Sequence, residues 1–324
     1  MIPYIREETV QKLVNERKAF GLAEEVFRQI AEKKAWMPPK IYLNVPGNGD
    51  FRAMPALVRS GRGEDACGIK WVSVFPDNLR RGLPTVNGTI LLNSAATGRL
   101  LVVMEANGIT ALRTAAAAAV ATHYLANPRP KVLAVVGAGL QGEYQLRALC
   151  DRYDFKEIRV WGFQAGEARK FCRRLSGEFQ NLRPCAAIPP CVREADVIVT
   201  CTPSRRPLVK KTWVKPGAHI NAIGADAKGK EELEPALVGA ARVVVDEWEQ
   251  ASHSGEINVP VSRGFFTKAD LHAELADIVS GRKEGRRDAR EITVFDSTGL
   301  AVLDIRFADA VYRAWAKKRA RNPS

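Results

Sequence analysis

The chain has 324 residues, 46% of them hydrophobic and 26% charged, with a formal net charge of +13. A chain of this length exceeds the usual size of one hydrophobic core, so we expect two domains of ordinary globular composition. No apolar run approaches the ~20 residues that cross a bilayer, and residues 1–20 lack the pattern of a signal peptide. These features exclude a membrane-spanning protein and predict a cytoplasmic one.

The net positive charge does not by itself indicate a nucleic-acid or membrane partner. The positive charges are spread along the chain, and the dense run at 317–321 ends a predicted helix, where cations favour the helix dipole. No alternation of aromatic and basic residues is present of the kind that stacks bases. The six cysteines and four histidines show no zinc spacing. We therefore expect a small-molecule ligand, with no metal, nucleic acid or membrane.

The first third of the chain mixes one helix with several strands. The pattern predicts a helix at 17–33 and strands at 40–43, 68–75, 89–92 and 100–104, bounded by proline and glycine turns. An alanine-rich stretch at 110–124 has high helix propensity and small side chains that allow close packing.

From residue 131 onward, strands alternate with helices. Strands are predicted at 132–136, 158–161, 197–200, 219–223, 243–246 and 292–295. This alternation predicts an α/β fold with a doubly wound parallel sheet covered on both faces. The last stretch, 299–318, is an amphipathic helix that we expect to return to the first domain and make it discontinuous.

A glycine-rich turn follows the first strand of this second region. Gly137, Gly139 and Gly142 occupy the three glycine positions of the dinucleotide fingerprint, between the strand 132–136 and a helix predicted at 141–153. The three glycines serve a tight turn, close approach of the backbone to a pyrophosphate, and close packing of helix on strand. The spacing predicts a dinucleotide site, the alternative being a glycine-rich turn without a ligand.

The choice between NAD and NADP depends on the end of the second strand. NAD-dependent enzymes usually carry an acidic residue there that accepts from the ribose hydroxyls. This chain instead has Gly162, Phe163 and Gln164. Three arginines follow on the next predicted helix and are candidates to bind a 2′-phosphate: Arg169, Arg173 and Arg174. The pattern slightly favours NADP(H), although such arginines also occur as ordinary surface residues.

Ordered motifs along nearly the whole chain resemble the ornithine cyclodeaminase/mu-crystallin family, and within it the archaeal-type alanine dehydrogenases. The motifs lie at 51–55, 68–70, 75–78, 82–86, 109–115, 136–141, 219–226, 229–233, 255–257 and 295–299. The resemblance implies a Rossmann-type domain at 116–302 and an α+β domain for substrate binding and dimerisation at 1–115 with 303–324. It also implies a nicotinamide cofactor, a homodimer, and oxidation of an amino acid or reduction of an imine.

Two basic residues are candidates to bind the substrate carboxylate. Lys70 lies in an apolar strand, where a lysine is costly unless it meets an anion. Arg113 interrupts a small apolar helix surface and offers the bidentate fork that a carboxylate prefers. The alternatives are an internal ion pair for Lys70 and a domain-bridging salt bridge for Arg113. By resemblance both bind the carboxylate, with Lys70 also catalytic, and Lys40 and Arg52 line the same site or are exposed strand-end charges.

Asp226 is the candidate acid/base. It is predicted to end a strand of the parallel sheet, where such sheets present ligand-contacting residues. A carboxylate there can take a proton from an ammonium or assist water at an imine carbon. The alternative is a turn aspartate before Gly229. Lys230 is a candidate partner of Asp226, and Glu256 is a motif residue for which a structural salt bridge is an equal interpretation.

The resemblance implies further cofactor contacts beyond the fingerprint glycines. Six of them can equally stabilise a turn: Thr114, Thr202, Asn221, Gly224, Ser297 and Gly299. The other candidate cofactor contacts are Leu140, Gln141, Thr85, Gly162, Phe163 and Gln164.

Three functions remain open. The first is an NAD(P)-dependent oxidoreductase acting on a small amino or imino acid, and the second is an ornithine cyclodeaminase that recycles its cofactor. The third is a mu-crystallin-like binding protein, which predicts a damaged carboxylate clamp. Cyclodeaminases carry an acidic residue at the position of Arg52, and a cation there disfavours an ornithine ammonium and favours alanine, pyruvate or an imino dicarboxylate.

Overall fold

The computed structural model describes residues 2–59 and 65–321 and divides the chain into two compact units. Residues 1–113 with 300–324 form the first unit, and residues 114–299 form the second. The predicted boundaries lie two or three residues further along, at 115/116 and 302/303. Residues 1, 60–64 and 322–324 of the predicted first domain lie outside the described residues.

Most of the chain lies in short regular elements. The strands are β1 (Tyr4–Ile5), β2 (Ala35–Trp36), β3 (Ile41–Val45), β4 (Gly49–Val58), β5 (Ala66–Val74), β6 (Val86–Ser94), β7 (Leu100–Glu105), β8 (Val132–Val136), β9 (Glu157–Trp161), β10 (Leu182–Pro184), β11 (Val197–Thr200), β12 (Arg205–Val209), β13 (His219–Ala222), β14 (Glu231–Leu233), β15 (Arg242–Val245), β16 (Ala273–Glu274) and β17 (Thr293–Asp296). The helices are α1 (Glu7–Gln11), α2 (Glu16–Ala31), α3 (Asn107–Leu125), α4 (Leu140–Cys150), α5 (Glu167–Leu175), α6 (Ile188–Val192), α7 (Pro235–Val238), α8 (Trp248–Ser254), α9 (Asn258–Ser262), α10 (Leu275–Val279) and α11 (Ala301–Arg321). Short 3₁₀ segments lie at Pro76–Arg81 and Lys211–Trp213.

The first unit contains a largely antiparallel sheet with the strand order β1-β7-β6-β5-β4-β2, and β3 also pairs with β4. Helix α11 packs on β4, β5 and β6, and it also contacts α2. Side chains alternate along the strands, so that Met54, Ile90 and Met104 point into the core. This face of the sheet carries the charged residues described below.

Strand β4 is the main element that the sequence pattern did not predict. Pro55 lies at its centre, and proline within a run argues against a central strand because it lacks an N–H donor. In the structure, the edge of β4 that would need the missing N–H is shared between two partner strands, β3 and β2. The pairing with β3 stops at Ala53 and the pairing with β2 begins at Leu57, so one edge of the strand has no ladder partner at Pro55.

In the described part of the second unit, eight parallel strands form a sheet with the order β10-β9-β8-β11-β13-β17-β15-β16. The order reverses between β8 and β11, which are neighbours in the sheet although β9 and β10 lie between them along the chain. Ligands of open α/β sheets bind beyond the carboxyl ends of the strands at such a reversal. The predicted doubly wound α/β architecture is confirmed, with short β10 and β16 as additional strands.

The central strands of this sheet, β8, β11, β13, β15 and β17, are buried on both faces, as expected for a parallel sheet. The core beneath them is aliphatic, with Ile198, Ile220 and Val294 among its fully buried members. Strands β12 and β14 form a separate parallel pair. Among the described residues, no helix is both long and apolar enough to cross a membrane.

Candidate functional site

Lys70 is a buried cation on the inner face of the first unit's sheet. It lies in β5 between Met54 of β4 and Ile90 of β6, and its side chain is 1% exposed. Its Nζ lies 2.7 Å from Asp304 Oδ2. Burial lowers the pKa of Lys70 to about 7, against the opposing charge of Asp304.

Arg113 of α3 shares the same carboxylate. Its Nε donates to Asp304 Oδ1 over 2.9 Å, and both side chains are buried. Burial alone would raise the pKa of Asp304, but the charges of Arg113 and Lys70 outweigh it and hold that pKa below its ordinary value. One carboxylate therefore serves two cations, and the internal ion pair considered as an alternative for Lys70 is present.

Arg52 lies on the same face of the sheet as Lys70. It stands opposite Val72 in the β4–β5 register, which makes Lys70 its diagonal neighbour. The Arg52 guanidinium pairs with Asp50 at 2.6 Å and lies 5.4 Å from the centre of the Tyr42 ring. Arg52 is buried, so the interpretation as an exposed strand-end charge is wrong.

Lys40 immediately precedes β3, is half-buried, and lies near enough to lower the pKa of Lys70 through its charge. Lys40, Arg52, Lys70 and Arg113 form a cluster of basic residues that includes the carboxylates of Asp50 and Asp304. Lys70 and Arg113 share the single carboxylate of Asp304, and this arrangement suits an anionic ligand.

Asp304 was not singled out from the sequence. The sequence feature that could have identified Asp304 is its position as a charged residue inside the apolar helical stretch 301–305, between Leu303 and Ile305. Its partners Lys70 and Arg113 lie far away along the chain, so the sequence pattern does not identify them.

The glycine turn of the second unit has the geometry that its fingerprint predicts. Gly137 has φ +134°, and a Cβ there would lie 2.7 Å from Cys201 Sγ. A Cβ at Gly142 would collide with Gly137 O, which reflects the close packing of α4 on the turn. Gly139, in contrast, has nothing within 4 Å of its Cβ position, so protein packing does not require this glycine. The space around it is available to a ligand.

The first turn of α4 offers donors for a phosphate. The helical bonding begins with Glu143 N donating to Gly139 O, which leaves the preceding amides without intrahelical acceptors. Gln141 Oε1 is buried and has no hydrogen-bond partner among the described residues, and Leu140 is exposed. The open space at Gly139 and the helix amides without intrahelical acceptors together fit a dinucleotide pyrophosphate.

The end of β9 adjoins this turn, because Gly137 N donates to Trp161 O at 2.9 Å. Phe163 is 80% exposed and contacts Trp161 edge to face. Gln164 N donates to the carboxylate of Glu167 at 3.0 Å. Gly162 lies at the strand end between these residues, as the sequence predicted.

Asp226 lies in the loop after β13. The prediction that it ends the strand is wrong, because β13 ends at Ala222. The predicted partnership with Lys230 is present, with Nζ 2.5 Å from Asp226 Oδ1 and both side chains partly exposed. Gly229, with φ +80°, provides the turn between them.

A network of buried acids anchors this loop and its neighbours. Glu256 accepts from the amides of Glu232 and Leu233, so within the described residues it binds backbone amides and forms no salt bridge. Glu232 in turn accepts from Thr202 N, Thr202 Oγ1 and Gly224 N. These bonds support the interpretation of Thr202 and Gly224 as turn-stabilising residues.

The loop after β17 is held in a similar way. Asp246 accepts from Thr298 N, Thr298 Oγ1 and Gly299 N. Gly299 has φ +83°, a conformation that favours glycine, and Ser297 is buried. The sequence pattern did not identify Glu232 or Asp246, whose acceptors bind backbone groups far along the chain.

Three other predicted cofactor contacts differ in their surroundings. Asn221 is fully buried and its amide bonds to His219 and Thr122, so its side chain serves the interior of the sheet rather than a cofactor. Thr114 is buried in α3, and Thr85 lies half-buried in the loop before β6, where its carbonyl accepts from Phe75 N.

Burial also changes the protonation of the acids in the second unit. It raises the pKa of Asp296 to about 8 and that of Glu256 well above its ordinary value. It also raises the pKa of Glu232. For Asp296, a pKa of about 8 means that the folded protein favours the protonated carboxyl group near neutral pH.

The ornithine cyclodeaminase/mu-crystallin family model matches residues 4–319. An alanine dehydrogenase of Archaeoglobus fulgidus is 43% identical over 95% of this chain and 93% of its own length.

Two solved structures have the same fold over almost the whole chain. An archaeal alanine dehydrogenase dimer with bound NAD is 42% identical with a TM-score of 0.93, covering 98% of this chain and 97% of its own. The Δ1-pyrroline-2-carboxylate reductase of Thermococcus litoralis, in complex with NADH and L-proline, is 32% identical with a TM-score of 0.94, covering 98% of each chain.

Proposed function

Because the chain belongs to the ornithine cyclodeaminase/mu-crystallin family, we propose that it is a nicotinamide-dependent oxidoreductase interconverting a small amino acid and its imino or 2-oxo acid. The observation that carries the proposal is the buried Lys70–Asp304–Arg113 arrangement, in which one carboxylate serves two cations. A substrate carboxylate supplies the missing negative charge. Its α-carbon is thereby oriented for reaction.

Lys70 and Arg113 bind the substrate carboxylate, and Asp304 positions both. Lys40 and Arg52 add positive charge to the same cluster. Arginine contributes a planar pair of donors, whereas lysine contributes a compact charge. The basic cluster suits a small substrate with at least one carboxylate, such as alanine, pyruvate or an imino dicarboxylate.

Gly137, Gly139, Gly142 and the first amides of α4 hold the cofactor pyrophosphate, with Phe163 and Gln164 near the adenosine end. The cofactor, when bound, accepts or returns a hydride. In the oxidative direction the α-carbon loses a hydride and the ammonium nitrogen loses a proton, giving an imino acid that water converts to a 2-oxo acid and ammonia. A residue of the protein therefore has to accept the proton that the ammonium nitrogen loses.

We assign the proton transfer to Asp226. Its carboxylate is partly exposed and ion-paired with Lys230, so it is accessible and oriented rather than sealed in the core. In the oxidative direction it takes the ammonium proton, and in the reductive direction it returns one to the imine nitrogen. Lys230 orients the carboxylate.

A second candidate, an ornithine cyclodeaminase, is favoured by one observation. Asp50 pairs with Arg52 and partly neutralises its charge, which weakens the repulsion of a side-chain ammonium. Such an enzyme forms proline and ammonia from ornithine without net consumption of the cofactor. Cofactor turnover therefore distinguishes the two candidates.

The deciding experiment follows the absorbance of the reduced nicotinamide, with NADH and NADPH separately, against a panel of 2-oxo acids with ammonia or methylamine. Stoichiometric oxidation with one oxo acid establishes the oxidoreductase and names its substrate. No oxidation across the panel, together with proline formed from ornithine at catalytic NAD, establishes the cyclodeaminase. Nucleotide and substrate binding without turnover in either assay favours a mu-crystallin-like binding protein.

The role of Asp226 is tested by Asp226→Asn. The variant keeps an oxygen that can accept from Lys230 and should retain cofactor binding while losing turnover by at least 100-fold. Asp270→Asn, at an exposed carboxyl of the same unit, is the control and should keep full activity. Full activity in Asp226→Asn excludes the acid/base assignment.

We further propose that the protein forms a homodimer through the sheet face opposite α11. Trp71 is 42% exposed there and stacks on Phe51 with ring centres 5.4 Å apart, and Ile41 and Leu43 of β3 are also exposed. Contiguous exposed apolar side chains of this kind indicate an interface. Trp71→Glu should shift the mass measured by light scattering to that of a monomer, whereas Phe265→Glu, at an exposed apolar residue of the second unit, should not.

A further inference from the structure

The end of β9 lacks an acidic residue in the sequence, yet a carboxylate occupies the corresponding space. A Cβ at Gly162 would lie 2.7 Å from Glu167 Cβ and 3.0 Å from Glu167 Oε2. The side chain of Glu167, from the first turn of α5, thus lies where an acid at position 162 would begin. We propose that Glu167 binds the ribose hydroxyls of NAD(H) and rejects the 2′-phosphate of NADP(H), an inference that rests on the nicotinamide dependence proposed above.

The position of Glu167 relative to the glycine turn supports this role. Gly137 N donates to Trp161 O, which ties the first fingerprint glycine to the end of β9. The same Cβ position at Gly162 lies 3.1 Å from Ala138 Cβ, within the glycine turn. The Glu167 carboxylate is therefore beside the turn that receives the pyrophosphate, on the side of the second strand. The adenosine ribose of a dinucleotide lies on this side in such folds.

The loop 162–166 holds the carboxylate in place. Glu167 Oε2 accepts from Gln164 N at 3.0 Å, and Glu167 N donates to Gln164 O at 3.2 Å. Gly166, with φ +89°, permits the sharp entry into α5 that these two bonds require. Among the described residues, Glu167 Oε1 has no hydrogen-bond partner, so one oxygen is fixed and the other can accept from a ribose hydroxyl.

The arginines that favoured NADP(H) from the sequence are less suitably placed. Arg173 and Arg174 lie in the last turn of α5, roughly 9–11 Å along the helix axis from Glu167. Arg174 also forms an ion pair with Glu143 of α4. Arg169 lies near the start of the helix and is exposed, so it is the cation whose contribution a test must separate from that of Glu167.

Charge and hydrogen-bonding chemistry then determine the preference. A ribose 2′-hydroxyl can donate to the carboxylate, whereas a 2′-phosphate is an acceptor that carries ~1.5–2 negative charges near neutral pH. The fixed carboxylate repels it at close range, and the nearby Gly162 contributes no cation. The cofactor preference that we propose is therefore NAD(H), opposite to the slight preference for NADP(H) predicted from the sequence.

The test measures dissociation constants for NADH and NADPH by the fluorescence of the bound nucleotide, which requires no substrate and no turnover. We expect the wild type to bind NADH at least tenfold more tightly than NADPH. Glu167→Gln keeps an acceptor for Gln164 N but removes the charge, and it should reduce this ratio at least tenfold. Glu178→Gln is the same substitution three residues after the end of α5, at a carboxylate that pairs with Arg147 of α4, and it should leave the ratio unchanged.

Equal or tighter binding of NADPH by the wild type overturns the inference, and no variant is needed for that result. An unchanged ratio in folded Glu167→Gln, or a ratio that responds only to Arg169→Ala, overturns it as well. If the wild type binds neither nucleotide, the proposed nicotinamide dependence itself fails.

Discussion

Lys70 and Asp304 form an ion pair, Nζ to Oδ2 2.7 Å, in which the side chains are 1% and 0% exposed. Removing two such charges from water is costly, and the pair is compensated only if its geometry and further partners are favourable. Arg113 supplies a third charge to the same carboxylate. The arrangement is therefore best understood as a preorganised cationic site that a ligand completes, and less as a device for stability.

Asp304→Asn should be strongly destabilising. The substitution preserves shape but leaves Lys70 and Arg113 buried without an anionic partner, which typically costs about 3–5 kcal/mol. Urea unfolding at pH 6 measures the loss. Asp309→Asn is the matched control on the same helix, because its partners Arg306 and Arg313 are partly exposed and the change should stay within ~1 kcal/mol. Equal losses in both variants would show that Asp304 does not anchor the cluster.

Lys70 should give the stability a characteristic pH dependence. The folded protein releases the Lys70 proton near pH 7, whereas the unfolded chain keeps it until about the ordinary value of 10.5. Between these values the unfolded state binds more protons, so stability rises with pH. The free energy of unfolding of the wild type should therefore increase relative to that of Lys70→Met as the pH rises from 7 to 10. Parallel profiles over this range would contradict a lowered pKa for Lys70.

The sequence predicted the local parts of this molecule well. The strand 132–136 and the strand 197–200 have the observed bounds, because an apolar run ended by turn residues is sufficient to define a buried parallel strand. The glycine fingerprint also depends only on adjacent residues. Strand β4 was missed because Pro55 argues against a strand, and only the division of its partners between β2 and β3 makes the proline acceptable.

The contacts between site residues that are far apart in sequence could not be predicted from local patterns. Asp304 and its partner Lys70 lie on different elements far apart along the chain, and no periodicity connects them. Glu167 is close in sequence to Gly162, but its importance depends on where the helix start directs the carboxylate. Residue types alone thus indicated the basic residues and the turns. The acidic residues that bind them, Asp304 and Glu167, could be identified only from the three-dimensional structure.

Two glycines of the fingerprint should respond differently to the same substitution. Gly142→Ala places a Cβ against Gly137 O and should lower both the melting temperature and nucleotide affinity. Gly139→Ala meets nothing within 4 Å and should keep the wild-type melting temperature to within about 2 °C. It should nevertheless weaken NADH binding at least tenfold, because the methyl group occupies the space of the pyrophosphate. Unchanged NADH affinity in Gly139→Ala would remove Gly139 from the cofactor site.

Asp296 should make the protein less stable as the pH rises. Its Oδ2 accepts from Ile257 N, while Oδ1 is buried without a hydrogen-bond partner in the described residues. Burial, together with the charge of Asp246, raises the Asp296 pKa from 3.8 to about 8. Between these values the folded state holds a proton that the unfolded state has lost, so stability falls with rising pH and the loss is complete above about pH 8.

Asp296→Asn mimics the protonated form and should flatten this decline, with a gain over the wild type that grows from pH 5 to pH 9 by an amount on the order of a few kcal/mol. Thermal melts across this range measure it. Asp151→Asn, at an exposed position after α4, serves as the control and should follow the wild-type profile. A constant difference between Asp296→Asn and wild type at every pH would mean that Asp296 is ionised in the folded protein throughout, and that a buried cation or ordered water compensates its charge.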